Sequence, residues 1–253
     1  MLRRAYNLLI SLNTVFWLFA ATLLFMLIGS FALPSDLAFF SGIDDEPLFG
    51  WLSANADIAK TWWILAIVAA IALLGASTAL CTIDYLMNRL TRSRMLLKLS
   101  PQVMHIGVLF IMLGHLLTGS YGFKTDVSVN EGNAASAGGV DIRLEKMTLT
   151  LDELGFASDW SAVISLSGAG SAAESKRIAP SSPVYYGGLG LYFRSVDTPA
   201  EAGGAPAAVF RVSKDPGAPW ALLGAILLAG GGIGFLTARF NLSVKETRGP
   251  AEG

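Results

Sequence analysis

Four stretches of this chain are each apolar over about the length of a bilayer crossing, and no other feature limits its possible folds as strongly. They run roughly from 10 to 33, 62 to 83, 102 to 119 and 219 to 238. A helix rises about 1.5 Å per residue, so about 20 predominantly apolar residues cross a hydrocarbon core of about 30 Å. The first stretch, ISLNTVFWLFAATLLFMLIGSFAL, holds Asn13 as its one strongly polar residue and is expected to stop at Pro34, since proline has no amide hydrogen to continue a helix. Its length exceeds the apolar region of a signal peptide, and three more spans follow. Composition agrees: 53% hydrophobic residues, 15% charged residues and a mean hydropathy of +0.55 are wrong for a soluble protein. The expected fold class is therefore a membrane α-helical protein with four transmembrane helices. An extracytoplasmic, mainly-β domain is inserted between helices 3 and 4.

Orientation follows from lysine and arginine in the short flanks, because acidic residues carry little weight in that rule. Arg3 and Arg4 precede the first span, and Arg89, Arg92, Arg94 and Lys98 fill the loop between the second and third. The loop after span one instead carries Asp36, Asp44, Asp45, Glu46 and Asp57 against Lys60, and the tail returns to Arg239, Lys245 and Arg248. The resulting plan has residues 1–33 as a cytoplasmic N-terminus and first span, 34–61 as an outer loop, and 62–83 as the second span. A basic cytoplasmic loop, 84–101, leads to the third span, 102–119. Residues 120–218 lie outside, 219–238 form the fourth span, and 239–253 form a cytoplasmic tail. Trp62, Trp63 and Trp220 fall at outer helix ends, where an interfacial aromatic belt is expected. With the charge sorted this way, no nucleic-acid partner is expected and the lipid bilayer is the solvent.

Residues 120–218 are polar and glycine-rich, without a long run of helical periodicity, and predict strands. Val140, Ile142 and Leu144 alternate, then Met147, Leu149 and Leu151, with Glu145 and Lys146 breaking the phase as a bulge does. Leu189 to Val196 and Ala207 to Val212 are further strands. Gly187, Gly188, Gly203 and Gly204 mark turns, and Ser165 to Ser175 reads as a hairpin tip. About a hundred residues suffice for a small sandwich or barrel. The domain has no histidine or cysteine, and its carboxylates (among them Asp126, Glu131, Asp141 and Glu145) are scattered like a solvated surface. That composition argues against a hydrolase and leaves a binding or scaffolding role.

Chemistry concentrates in the third span. Cys81 is the one cysteine, which excludes an internal disulfide, a CxxC redox pair and a CxxCH heme-attachment motif. His105 and His115 are the two histidines, both in VMHIGVLFIMLGHLLTG, and ionisable side chains in an apolar helix are expensive enough to suggest function. Ten residues of helix separate them by about 15 Å of rise and about 80 degrees of rotation, so they cannot ligate one iron. Neutral imidazole is a strong axial ligand for heme iron. A bis-histidine heme at His105 must then borrow its second ligand from another polypeptide or another copy. A lone chain would need a weaker ligand such as Met104, Met112 or Met26. Gly107 and Gly114 on the same helix would admit a partner helix or a flat ligand closely.

Several of these segments, in order, resemble the ResB-like (CcsB) cytochrome c biogenesis proteins of the System II pathway. SLNTVFWLFAATLLFMLIGSF is similar to that family's first span, and TWWILAIVAAIALLGASTALCT, ending near Cys81, to its second. MHIGVLFIMLGHLLTGSYG resembles the third, followed by VSVNEG at Val127 to Gly132. SKDPGAPWALLGAILLAGGGIGFL resembles the lead into the last span. The resemblance implies a ResC-like (CcsA) membrane partner, a heme b shared between the two proteins, and presentation of heme to apocytochrome c on the outer side of a cell inner membrane. It implies that His105 is one axial ligand, and so the metal-binding residue through heme iron. It implies no role for His115, a weaker candidate for cofactor binding. Cys81 is expected to be a small buried residue. At 253 residues the chain is short for that family, whose outer domain is often larger, so a portion that contacts apocytochrome is expected to be trimmed.

The function that the resemblance implies is cytochrome c maturation, as a non-catalytic subunit of a heme lyase (synthetase) complex. Two alternatives stand beside it. One is a b-type electron-transfer subunit, which would need four ligands for two hemes where the chain has two histidines. The other is an anchor whose β domain binds a partner.

Overall fold

A computed structural model describes residues 2–88, 95–151, 157–168, 172–197 and 206–247. Arg89, Arg92, Arg94, Asp152, Glu153, Gly203, Gly204 and Arg248 lie outside the described residues. Among the described residues four helices are long and apolar enough to cross a membrane: α2 (Leu12–Ser35), α4 (Ile58–Asn88), α5 (Met95–Tyr121) and α6 (Ala218–Thr247). Two short helices accompany them, α1 (Leu2–Leu9) before α2 and α3 (Leu48–Ala54) before α4. The architecture is that of a multi-pass membrane protein with a β domain between its third and fourth spans. By compactness the chain divides into a helical unit of residues 1–41, 51–116 and 217–253, and a β unit of residues 42–50 and 117–216.

In the helical unit, α5 and α6 meet backbone to backbone. A Cβ on Gly107 would lie 2.7 Å from the Gly224 carbonyl oxygen, and one on Gly224 would lie 2.5 Å from that of Gly107. Gly114 faces the Gly217 carbonyl and Ala221, and Gly231 faces the Ser100 carbonyl and Met104. Ser100, Gly107 and Gly114 recur every seven residues along α5, and Gly217, just before α6, and Gly224 and Gly231 within it do so in the opposite direction. This is an antiparallel seam of small residues, the solution expected where lipid removes the hydrophobic drive and association rests on close van der Waals contact. Gly107 and Gly114 therefore admit the chain's own fourth span, not a flat ligand or a partner's helix. Phe110 stacks on Trp220 across the same pair of helices, with centroids 5.8 Å apart.

The interface of α2 with α4 is built around Trp63. This residue was expected in an interfacial belt, but it is buried, because its ring lies over Gly29, where a Cβ would come within 2.3 Å of Cζ3. Trp62 is exposed as expected. Proline does not stop α2 at its own position, since Pro34 sits in the last turn and the helix ends one residue later. The break between α1 and α2 frees a carbonyl that lipid cannot solvate. Ser77 on α4 donates to it, at Leu9, over 2.5 Å.

The β unit is a sandwich of two four-stranded sheets, ordered β1-β8-β7-β6 and β2-β3-β4-β5. Its strands are β1 (Phe123–Asn130), β2 (Ala134–Ala137), β3 (Val140–Leu151), β4 (Ala157–Gly168), β5 (Glu174–Ile178), β6 (Val184–Tyr186), β7 (Leu189–Asp197) and β8 (Ala207–Lys214). Every strand pairing is antiparallel. Alternate residues from both sheets form the core, with Ile142, Leu144, Ile164, Leu191, Phe210 and Val212 fully enclosed. The first and last strands pair, Phe123 opposite Lys214, so the chain enters and leaves the sandwich on neighbouring strands. Thr118 donates to Asp215 at 2.5 Å beside that point.

The expected bulge in β3 is present as a register shift between Leu144 and Lys146. The Glu131 carboxylate accepts the Met147 amide at 3.1 Å, and the Gly132 amide reaches the Leu144 carbonyl at 2.8 Å. Gly132 has φ +83, which glycine adopts without strain. Glu131 thus has a structural use that a scattered surface charge would not have. The hairpin tip expected over Ser165 to Ser175 is shorter, because Ser165 pairs with Ser175 and Leu166 with Glu174 as strand residues. The loop expected over 34–61 contains α3, and its residues 42–50 join the sandwich, where the Asp45 carbonyl accepts the Lys124 amide at 2.9 Å.

On the solvent face of the first sheet, Asp126 receives both ends of the Arg211 guanidinium, at 2.8 and 3.0 Å, and Arg194. Those hydrogen bonds, Arg211 first, hold its carboxyl below the ordinary carboxylate value. A depressed pKa contributes stability above the unfolded value of about 3.9, and the contribution is lost as pH falls through the lower folded value. Asp126→Asn should therefore unfold at lower temperature than wild type near pH 6, with the gap closing as pH falls below about 4. A gap that stays constant with pH would contradict the assignment. For the seam, Gly107→Val should cost at least about 1–3 kcal/mol through overpacking. Gly119→Ala, where a Cβ meets nothing within 4 Å, should not change the unfolding midpoint in detergent.

Candidate functional site

Along α5 the face opposite the glycine seam carries His105, about 200 degrees around the helix from Gly107. It turns to α4, where His105 Nδ1 lies 3.4 Å from Thr82 Oγ1. Seven residues along each helix in opposite directions, Met112 covers Gly75, with Cε 3.0 Å from where a Cβ would stand. His105 is half-buried and Thr82 is buried. The Thr82 hydroxyl donates to the Thr78 carbonyl at 2.8 Å, and Thr78 donates to Leu74 at 2.9 Å. Threonines inside a helix commonly back-bond in this way.

The two histidines are not brought together. His115 is exposed, and both ride one continuous helix, so the separation of about 15 Å stands. The methionines named as alternative ligands are dispersed as well. Met104 packs against Gly231 on the α6 side, Met112 lies about 10 Å from His105 along the helix, and Met26 is exposed on α2. If a heme iron were held here, His105 would be the residue of this helix face to hold it, and a second ligand would have to come from elsewhere. Among the described residues no three of histidine, cysteine, aspartate and glutamate are grouped to hold a metal ion. Cys81 is a free thiol, half-buried where full burial was expected.

Polar groups continue on α4 beyond Thr82. Tyr6 on α1 donates to Asp84 at 3.1 Å, and Asn88 donates to the same oxygen at 2.9 Å. At the far end of α4, roughly 30 Å away by helical rise, a cavity of about 370 Å³ is lined by Ile28, Asp36, Phe40, Lys60, Trp62 and Trp63, among others. There Lys60 pairs with Asp36 at 2.6 Å and holds its carboxyl below the ordinary value. That cavity belongs to the other end of the helix pair and contributes nothing to the surroundings of His105.

Residues 93–206 match the model of the ResB-like family. The ResB-like stretch takes in the helix that carries both histidines and the strands from β1 through β7. No curated protein matches the chain. A solved structure named as the cytochrome c heme lyase CcmF is similar with a TM-score of 0.44 and 17% identity, over 68% of this chain and 30% of that one. Thr82 is the residue of this site that sequence reasoning missed. It forms an i, i+4 pair with Thr78, but nothing in the sequence sets the register of α4 against α5.

Proposed function

We propose that this chain is a non-catalytic subunit of the cytochrome c biogenesis machinery that holds one side of a heme b through His105. A ResC-like (CcsA) partner in the membrane provides the second axial ligand, and the assembly presents heme to the CxxCH thiols of apocytochrome c. The observation that carries this reading is the ResB-like match over α5 and the sandwich that follows it. In this reading the protein sits in the cell inner membrane with both termini in the cytoplasm, and residues 120–218 lie outside, in keeping with the basic flanks. A heme would supply an iron with two axial positions. The described donor set suits one of them, because His105 has no second histidine or methionine opposite it.

The chain's own residues then have limited tasks. α5 and α4 set the depth and direction of the imidazole, and the glycine seam fixes the rotation of α5. The sandwich is left as the surface available to apocytochrome. It holds no histidine or cysteine of its own, so its part in the reaction is contact and not bond making.

The test is a reduced-minus-oxidised spectrum of the protein purified with and without its partner. A six-coordinate heme signal is expected in the complex and should be lost in His105→Ala. Met104→Leu and Met112→Leu should retain it, since neither methionine shares a site with His105. Heme that is absent from the complex, or indifferent to His105→Ala, would remove the ligand assignment and favour the scaffold reading.

A further inference from the structure

We propose that Thr82 is a positioning residue for His105, accepting the Nδ1–H proton and so leaving Nε2 as the free, unprotonated nitrogen directed to a metal. The inference rests on the heme reading above for its purpose, but its geometry stands on the two helices alone. A hydroxyl has one proton to donate, and its oxygen has two lone pairs. The Thr82 proton is committed to the Thr78 carbonyl at 2.8 Å. With its proton placed there, the oxygen accepts toward His105, 3.4 Å away. A neutral imidazole carries one proton on one of its two nitrogens. An acceptor beside Nδ1 selects the tautomer with hydrogen there and the lone pair on Nε2.

Burial makes this selection effective. Thr82 is 5% exposed, so its hydroxyl is shielded from water. Free rotation of the hydroxyl, which would allow it to donate instead, is opposed by the loss of its bond to Thr78. A histidine that ligates a metal commonly donates its other ring N–H to an acceptor, and this contact fixes the ring's orientation and raises its strength as a ligand. The 3.4 Å separation is at the long end for such a bond. The effect should accordingly lie at the lower end of the roughly 10–100-fold range seen when such partners are removed.

Two variants and two measurements separate the possibilities, using the full chain throughout. Thr82→Val keeps the side chain's shape and removes the acceptor, and Thr82→Ser keeps the hydroxyl. In the complex with its partner, Thr82→Val should weaken heme retention about tenfold and raise the midpoint potential, because a weaker donor favours ferric iron less. Thr82→Ser should restore both. The second measurement needs no heme. In a His115→Ala background one histidine remains, and its ¹⁵N spectrum should show hydrogen on Nδ1 in the parent and a mixture of tautomers in Thr82→Val. Identical spectra for parent and Thr82→Val, or hydrogen on Nε2 in the parent, would overturn the role of Thr82. Retention of heme by His105→Ala would instead overturn the ligand reading beneath it, and the ¹⁵N result would still decide the tautomer.

Discussion

The close approach of α5 and α6 is the contact on which the rest of the helical unit depends. A seam in which a glycine on each helix lies within a Cβ's reach of the other's carbonyl permits little rotation of either helix. Once Gly107 is committed to α6, a residue two positions earlier is carried about 200 degrees away by helical geometry. His105 is consequently directed to α4, and its neighbours follow from the close packing of that seam. In lipid this order of dependence is reasonable, because apolar burial gives little preference between one helix face and another.

On the other side of α5, α4 brings polar groups that are largely paired among themselves. Thr78 and Thr82 back-bond within the helix, Ser77 satisfies the carbonyl freed at the break after α1, and Asp84 takes hydrogen bonds from Tyr6 and Asn88. Each of these groups would be costly if left bare in hydrocarbon. His105 faces these groups from α5. Its acceptor at Thr82 is available because the hydroxyl proton is already in use.

The legible part of the fold was the part written in long patterns. Four apolar runs and the polar, glycine-rich stretch between the third and fourth announced the class, and the lost phase at Glu145 announced the bulge in β3. Short elements escaped for lack of length: β2, β5 and β6 have four, five and three residues, too few for alternation to stand out from chance. Partner identity escaped for a different reason. Gly107 and Gly114 showed that something comes close, but hydropathy is the same whether the visitor is α6, a second protein or a flat ligand. Trp63 illustrates the same limit. Its place at a helix end suggested an interfacial belt, and only the absence of a side chain at Gly29, 34 residues earlier in the chain, turned it inward. The two histidines were visible at once as unusual residues in an apolar helix, whereas Thr82 required the register of α4 on α5.

A site that offers one axial ligand has a thermodynamic consequence if the heme reading holds. Ligand held by two proteins together is bound weakly by either alone, so occupancy is linked to assembly. Whatever favours the complex favours loading, and loading favours the complex by the same factor. A second histidine opposite His105 would break that linkage, and the chain would retain heme without a partner. For a protein that must pass its heme onward, firm retention is a disadvantage, since each tenfold gain in affinity deepens the bound state by about 1.4 kcal/mol that transfer must recover. In that reading the half-buried imidazole of His105, beside Thr82 at 3.4 Å, would suit a cofactor that is passed on.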